Sequence, residues 1–387
     1  MNEKEIRFID LFGGIGGFRL GLEKANELVE RTTDKKAQSS KQKSESRRRE
    51  WEYATYKCVW YCDKDKYSCQ TYNKNFKTKY KSTDITTINP NDIPDCDMLC
   101  GGFPCQSFSI AGKRKGFQDI RGTMFFEIYR IAQAKRPKIL FLENVRGLLS
   151  ADDGRCFGTI LESLGNLGYK VEWQVLNSKY FGVPQNRERV FIIGHLGGTG
   201  RQQVFPIRQS SKELGQTSEE SRGEGERFWD YPSNTIAQMD YKGGNQLVMQ
   251  LCGDRNNPSL STSDVAYTVP SNPMSDRQQV VIHSLQPRSP DRPSLKYSSG
   301  GSGHLSRDDG YSYCLDGGNC QAVEYTNNIR RLTPVECERL QGFPDNWTEG
   351  VSDTQRYKQL GNAVTVNVIQ AIGERILQTK LKCRISL

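Results

Sequence analysis

Histidine is scarce in this chain of 387 residues, with three in all. Twelve cysteines are present, yet none stands in a Cys-x-x-Cys pair; the tightest spacings are Cys58/Cys62, Cys96/Cys100 and Cys100/Cys105. With few imidazoles and no paired thiols, a zinc site is not expected, nor any other metal. No run approaches the roughly 18 apolar residues that a membrane helix needs. The opening Met1-Asn2-Glu3-Lys4-Glu5 lacks the apolar stretch of a signal peptide. The expectation is a protein off the membrane that stays in the cytoplasm, its cysteines reduced and mostly serving as small core residues.

What is present suffices for a folded core. The length suggests two domains, or one large domain with a lobe, although hydrophobic residues make up 35% and the mean hydropathy is −0.68. The net charge is +9 and the isoelectric point about 8.9. This fits a nucleic-acid partner without requiring one, since many basic enzymes bind none.

Residues 6–11 read as a buried strand, followed by the turn Phe12-Gly-Gly-Ile-Gly-Gly-Phe18 and a helix opening at 19–23. Further strands are predicted at 58–62, 97–100, 139–142, 171–176 and 190–193, and helices at 123–134 and 158–167. Apolar strands alternating with helices predict an α/β fold with a parallel sheet covered on both faces. Residues 198–328 are richer in Ser, Gly, Asn, Gln and Asp. There Ser233–Ile236 echoes Asn245–Val248, Tyr267–Val269 echoes Gln278–Val281, and Tyr313–Leu315 echoes Cys320–Val323, suggesting strand-loop-strand units of a smaller β lobe. Thr333-Pro-Val-Glu336 reads as a capped helix start. A last helix at about 365–378 should pack back on the first lobe. Residues 31–50 carry eight Lys and Arg against three Asp and Glu with no apolar period, and read as an inserted polar surface loop.

Strand, glycine turn and helix together form a nucleotide-cofactor signature, weak by itself and not strictly G-x-G-x-x-G. Asp63, ending the next strand, could accept from both ribose hydroxyls; an ordinary strand-end aspartate fits equally well. Gly101-Gly-Phe-Pro-Cys-Gln-Ser-Phe-Ser109 is the strongest signal. It sets Cys105 behind a rigid proline at the carboxyl end of a strand, where a thiolate would be a good nucleophile. Ser107, Ser109, Lys113, Arg114, Lys115 and Arg121 follow among glycines, a basic loop suited to a phosphate backbone or merely to solvent. Glu143 follows the strand 139–142 and is placed for acid work or for capping a helix. Arg187 and Arg189 alternate on one strand face, for a ligand or for solvent.

Taken together and in this order, the motifs resemble the bacterial and phage DNA (cytosine-5) methyltransferases. They are Asp-Leu-Phe-Gly-Gly-Ile-Gly-Gly-Phe, Gly-Phe-Pro-Cys-Gln-Ser-Phe-Ser, Arg-Gly-Thr-Met-Phe-Phe, Glu-Asn-Val, Gln-Asn-Arg-Glu-Arg, Arg-Leu-Thr-Pro-Val-Glu-Cys-Glu-Arg-Leu-Gln-Gly-Phe-Pro and Gly-Asn-Ala-Val. The resemblance implies a Rossmann-like sheet binding S-adenosyl-L-methionine (product S-adenosyl-L-homocysteine), in a catalytic domain of 1–197 completed by 355–387. It also implies an irregular, mainly β target-recognition lobe at 198–354. The partner implied is double-stranded DNA, the protein a monomer, with room for a cognate restriction endonuclease.

By the same resemblance Phe12, Gly14, Ile15, Gly16 and Gly17 border the cofactor, Phe12 on the adenine. Asp63 holds the ribose, Lys64 follows it, and Asp84 and Ile85 meet the adenine edge. Pro104 and Met124 line the wall, and Asn362 and Ala363 close it. Cys105 attacks carbon 6, Glu143 bonds N3 and the amino group, and Arg187 reaches the O2 side with Arg189 in support. Ser109, Lys113 and Arg121 hold phosphates. Thr235-Ile236 and Thr268-Val269 qualify as the base-reading pair, with Cys314-Leu315 a degenerate echo. Lys64 departs from a frequent apolar residue and Ala363 from a frequent serine. A tRNA-modifying relative would carry Cys-Phe-Thr in the smaller lobe, a tripeptide missing here. A non-catalytic DNA-binding relative would usually lack Pro-Cys or Glu-Asn-Val. A nicotinamide oxidoreductase explains the glycine turn alone.

Overall fold

The computed structural model describes residues 5–27, 55–104, 124–197, 203–207, 234–235, 281–284, 305–307, 311–315, 317, 321–325 and 328–385. Among these, β1 (Glu5–Leu11), β2 (Thr55–Cys62), β3 (Met98–Gly102), β4 (Ile139–Val145), β5 (Tyr169–Asn177), β6 (Glu188–Leu196) and β7 (Asn234–Thr235) form one sheet in the order β2-β1-β3-β4-β6-β5-β7. The helices are α1 (residues 17–27), α2 (Lys66–Phe76), α3 (Met124–Lys135), α4 (Arg155–Asn166), α5 (Pro334–Leu340), α6 (Asp353–Asn362) and α7 (Val366–Ile385).

The strand sequences are apolar on both faces, and each face is covered. Ile6 and Phe8 of β1, with Ile139 and Phe141 of β4, pack under Phe18 and Leu22 of α1 and Val368, Ile369 and Ile372 of α7. Ile9, Leu11, Leu140 and Leu142, one residue out of phase, pack under Phe125, Ile128 and Ile131 of α3 and Phe157, Ile160 and Leu164 of α4. This is the two-residue period of a doubly covered sheet. The last helix thus closes the first lobe, as its sequence predicts.

The sheet is not parallel throughout. β2, β1, β3 and β4 run parallel, but β6 is antiparallel to both β4 and β5. The link 178–187 is too short for a parallel crossover, which takes a dozen or more residues, so the chain returns as a hairpin. Pairing with β6 also extends β4 past its apolar run: Glu143 and Asn144 lie inside the strand, opposite Phe191 and Val190. They do not cap a helix.

A second, antiparallel sheet joins β8 (Val281–Ser284), β9 (Leu305–Arg307), β10 (Gln321–Tyr325) and β11 (Asn328–Arg331) in the order β11-β10-β8-β9. The expected strand-loop-strand echoes are only partly met. Asn234–Thr235 pairs with β5 at the edge of the large sheet. Tyr313–Leu315 is not a strand, and β10 pairs with β8 and β11. Asn245–Val248, Tyr267–Val269 and the insertion 31–50 lie outside the described residues.

Thr333 caps α5 in a capping box with Glu336, with Pro334 at the first position. Beyond it, Leu340, Phe343 and Trp347 pack on Ile15, Leu360 and Val366. Buried Glu338 accepts from the Asn346 and Thr348 amides at 2.6 and 2.8 Å and pairs with Arg356 at 3.1 Å. Residues 332–348 are thereby tied to the glycine turn of the first lobe.

Candidate active site

The glycine turn crosses the carboxyl ends of β1 and β2, and three side chains fix its backbone. Asp63, just past β2, accepts from Gly14 N at 2.8 Å through Oδ2 and from Asp65 N at 2.8 Å through Oδ1. The Tyr61 hydroxyl donates to Gly14 O at 2.8 Å, and Trp347 Nε1 donates to Ile15 O at 3.0 Å. A Cβ on Gly17 would stand 2.7 Å from Val364, whereas one on Gly14 would meet nothing within 4 Å. The backbone is therefore packed behind and open in front of Gly14, the shape of a ligand cradle.

Around that opening stand the other expected cofactor residues. Phe12, at φ 53°, is partly buried against the core. Burial raises the Asp63 carboxyl above its ordinary range, and the amides of Asp65 and Gly14 pull it back. Lys64 is exposed. Asp84 caps a short 3-10 turn, accepting from the Thr86 amide and hydroxyl at 3.0 and 2.8 Å, which lowers its carboxyl. Ile85 is buried beside it, and Arg130 of α3 donates to Ile85 O at 3.0 Å and Ile88 O at 2.7 Å. Met124 is half-buried, Pro104 and Asn362 are exposed, and Ala363 is buried. Tyr61, Arg130 and Trp347 were not among the expected residues. Nothing in their local sequence marks them, because each acts through a fold-dependent contact.

Gly102 of β3 pairs with Glu143 of β4, and Asn144 Nδ2 donates to Phe103 O at 2.9 Å. The Gly-Phe-Pro and Glu-Asn-Val motifs thus adjoin. A Cβ on Gly102 would stand 3.1 Å from Glu143 Oε2. Glu143 is buried, and Arg189 Nε lies 3.1 Å from its Oε1. Burial raises the Glu143 carboxyl, with Arg189 and then Arg187 pulling it down.

The two arginines do different things. Arg189 meets the carboxylate. Arg187 is 3% exposed and donates to Cys314 Sγ, Leu315 O, Gly361 O and Ala363 O at 3.2, 3.2, 3.1 and 2.8 Å. Burial, then the neighbouring Arg189 charge, lowers its proton affinity. Neither side chain has the solvent-facing character that surface arginines would show.

Asp10 of β1 is wholly buried beneath the turn, with no hydrogen-bond partner on either oxygen among the described residues. Burial pushes its carboxyl up to about 8, against the pull of Arg19. Cys105, Ser109, Lys113, Arg121 and Thr268 lie outside the described residues, as does the side chain of Thr235. No group of side chains able to hold a metal occurs among the described residues. No described helix is long and apolar enough to cross a membrane.

The family model for C-5 cytosine-specific DNA methylases matches residues 6–378. The Type II methyltransferase M.BanI of Aneurinibacillus aneurinilyticus is 32% identical, the match covering 97% of each chain. M.HhaI of Haemophilus parahaemolyticus is 32% identical over 96% of this chain and 94% of its own. M.NgoBI of Neisseria gonorrhoeae is 36% identical over 94% and 90%. In fold, the chain is similar to S. pombe Dnmt2 methyltransferase, with TM-score 0.53, 18% identity and coverage of 99% and 100%. It is likewise similar to the Entamoeba histolytica methyltransferase EhMeth, with TM-score 0.53, 19% identity and coverage of 97% and 99%.

Proposed function

The chain belongs to the C-5 cytosine-specific DNA methylase family, and from that premise we propose how its own residues carry out DNA cytosine-5 methylation. The observation that carries the reading is the buried Glu143–Arg189 pair beside Gly102, three residues before Cys105 in the chain. A cytosine inside a duplex is out of reach, so the target base is flipped into the site. The Cys105 thiolate adds to carbon 6, and the ring becomes an enamine nucleophilic at carbon 5. Glu143, its proton affinity raised by burial, stabilises that ring through N3 and the amino group. Arg189, beside the carboxylate, takes the O2-side role that the resemblance implied for Arg187, whose Nη groups are held by 314–315 and 361–363. S-adenosylmethionine, when bound, supplies an electrophilic methyl group. After transfer the carbon-5 proton leaves and Cys105 is eliminated, which restores the aromatic ring.

The open cradle at Gly14 fits that cofactor. Asp63 would meet the ribose, Phe12 and Ile85 the adenine, and Met124, Pro104 and Ala363 the wall. The segment 198–328 reads the base sequence, and Ser109, Lys113 and Arg121 hold phosphates, positions that fix register without specifying sequence. The names of the relatives support a place beside a restriction endonuclease of the same specificity.

The test begins by sequencing methylated DNA from cells expressing the protein, which identifies the site. A duplex with 5-fluorocytosine there cannot lose fluorine as a cation. With S-adenosylmethionine it should give an adduct that survives denaturing electrophoresis. Cys105→Ala should abolish the adduct. Glu143→Gln should slow its formation by about 10²–10⁴-fold while DNA binding persists through phosphate contacts. An adduct with Cys105→Ala would sink the assignment of the nucleophile; none with wild type on its own site would sink the mechanism.

A further inference from the structure

Arg187 is a buried guanidinium that pairs with no carboxylate within 4 Å among the described residues, the nearby Glu143 being held by Arg189. Burying an unpaired cation is unfavourable unless its donors are satisfied. Four contacts satisfy its two Nη groups, and they point two ways, while Nε has no partner among the described residues. Nη1 reaches Cys314 Sγ and Leu315 O, where the chain comes back from 198–310. Nη2 reaches Gly361 O and Ala363 O, in the turn between α6 and α7.

The neighbours repeat the arrangement. Gln185 accepts from Leu315 N at 3.1 Å and donates to Leu340 O at 2.8 Å. Gln341 donates to Leu360 O at 2.8 Å and Ala363 O at 3.3 Å. Leu315 is therefore held at both its amide and its carbonyl from the 185–187 segment. Arg189 also lies 3.7 Å from Cys314 Sγ while pairing with Glu143.

We propose that Arg187 is a positioning residue that couples the returning segment of the recognition lobe to the cofactor-closing turn. It acts on the reaction through Ala363 and through Arg189. A planar fork can span the two segments; a lysine ammonium, a single point of charge, cannot hold both. The inference rests on the functional reading above, in which Ala363 belongs to the wall of the cofactor site.

S-adenosylhomocysteine alone is the probe, its Kd measured by titration calorimetry on the full chain without DNA. Arg187→Lys should weaken binding about tenfold. Cys314→Ala, on the far arm of the fork, should weaken it about threefold, within the range for one hydrogen bond. The double variant should bind no more weakly than Arg187→Lys, because the path is already cut. Cys314→Ser, which restores an acceptor, should recover most of the loss and remains informative if Arg187→Lys does not fold. An unchanged Kd in Cys314→Ala, effects that multiply in the double variant, or a serine as weak as alanine overturns the coupling and leaves the functional reading standing. A wild-type protein that binds no S-adenosylhomocysteine overturns both.

Discussion

Asp10 shows how far a single residue can be bent by its surroundings. It sits in a strand whose neighbours Phe8, Ile9 and Leu11 are fully buried, and the packing that protects the glycine turn also strips its carboxylate of water. In the unfolded chain it ionises near 3.8; in the fold burial holds it protonated up to about 8. The folded state thus binds the extra proton between these values, and the stability this contributes below 3.8 is lost as pH rises through 8. The difference corresponds to on the order of 5 kcal/mol. Asp10→Asn, of the same shape and never charged, should match wild type near pH 4 and be the more stable protein at pH 8.5. Urea melts at the two pH values check this; a gap that does not grow with pH would show that Asp10 is ionised in the fold.

Among the elements, the glycine turn tolerates an added atom unevenly. A Cβ on Gly16, at φ 88°, would land on the Phe76 ring and 3.1 Å from Tyr72, while Gly14, at φ 52°, has open space before it. Gly14→Ala should therefore cost about 1 kcal/mol from the left-handed backbone alone. Gly16→Ala must also displace α2 and should cost about 1–3 kcal/mol more. Thermal unfolding of the two variants decides the order, and equal losses would mean that φ alone matters. At this scale the sequence was easily read where structure is local. The β1 run, the glycine turn and the Thr333 capping box each carry their own signal. Two features were hidden: the reversal of β6, which depends on the length of a link, and the length of β4, which depends on its partner strand.

At the scale of the molecule, the polar insertion between α1 and β2 poses a question of charge. The strands β1 and β2 that flank it in the chain pair from Glu5↔Thr55 to Leu11↔Cys62 through residues outside 31–50. Deleting those residues should leave the melting curve cooperative. It should also flatten the dependence of log K on log salt for duplex DNA, since five net positive charges are lost and fewer phosphates are neutralised. A salt slope unchanged on deletion would remove the segment from the DNA interface, and an unfolded protein would make it structural.

The sequence by itself determined the family, the reaction, and the ordered motifs from the glycine turn to Glu-Asn-Val, because those depend on residue type at short spacing. Only the tertiary structure separated Arg187 from Arg189. Two residues apart, they look equivalent in the chain. One meets a carboxylate raised by burial, and the other meets four acceptors drawn from 314–315 and 361–363. The same holds for Trp347 and Tyr61, whose contacts with Ile15 and Gly14 join positions far apart in sequence. Spacing along a strand says which face a side chain shares. Which partner waits there is decided by segments tens to hundreds of residues away, and their approach is set by packing.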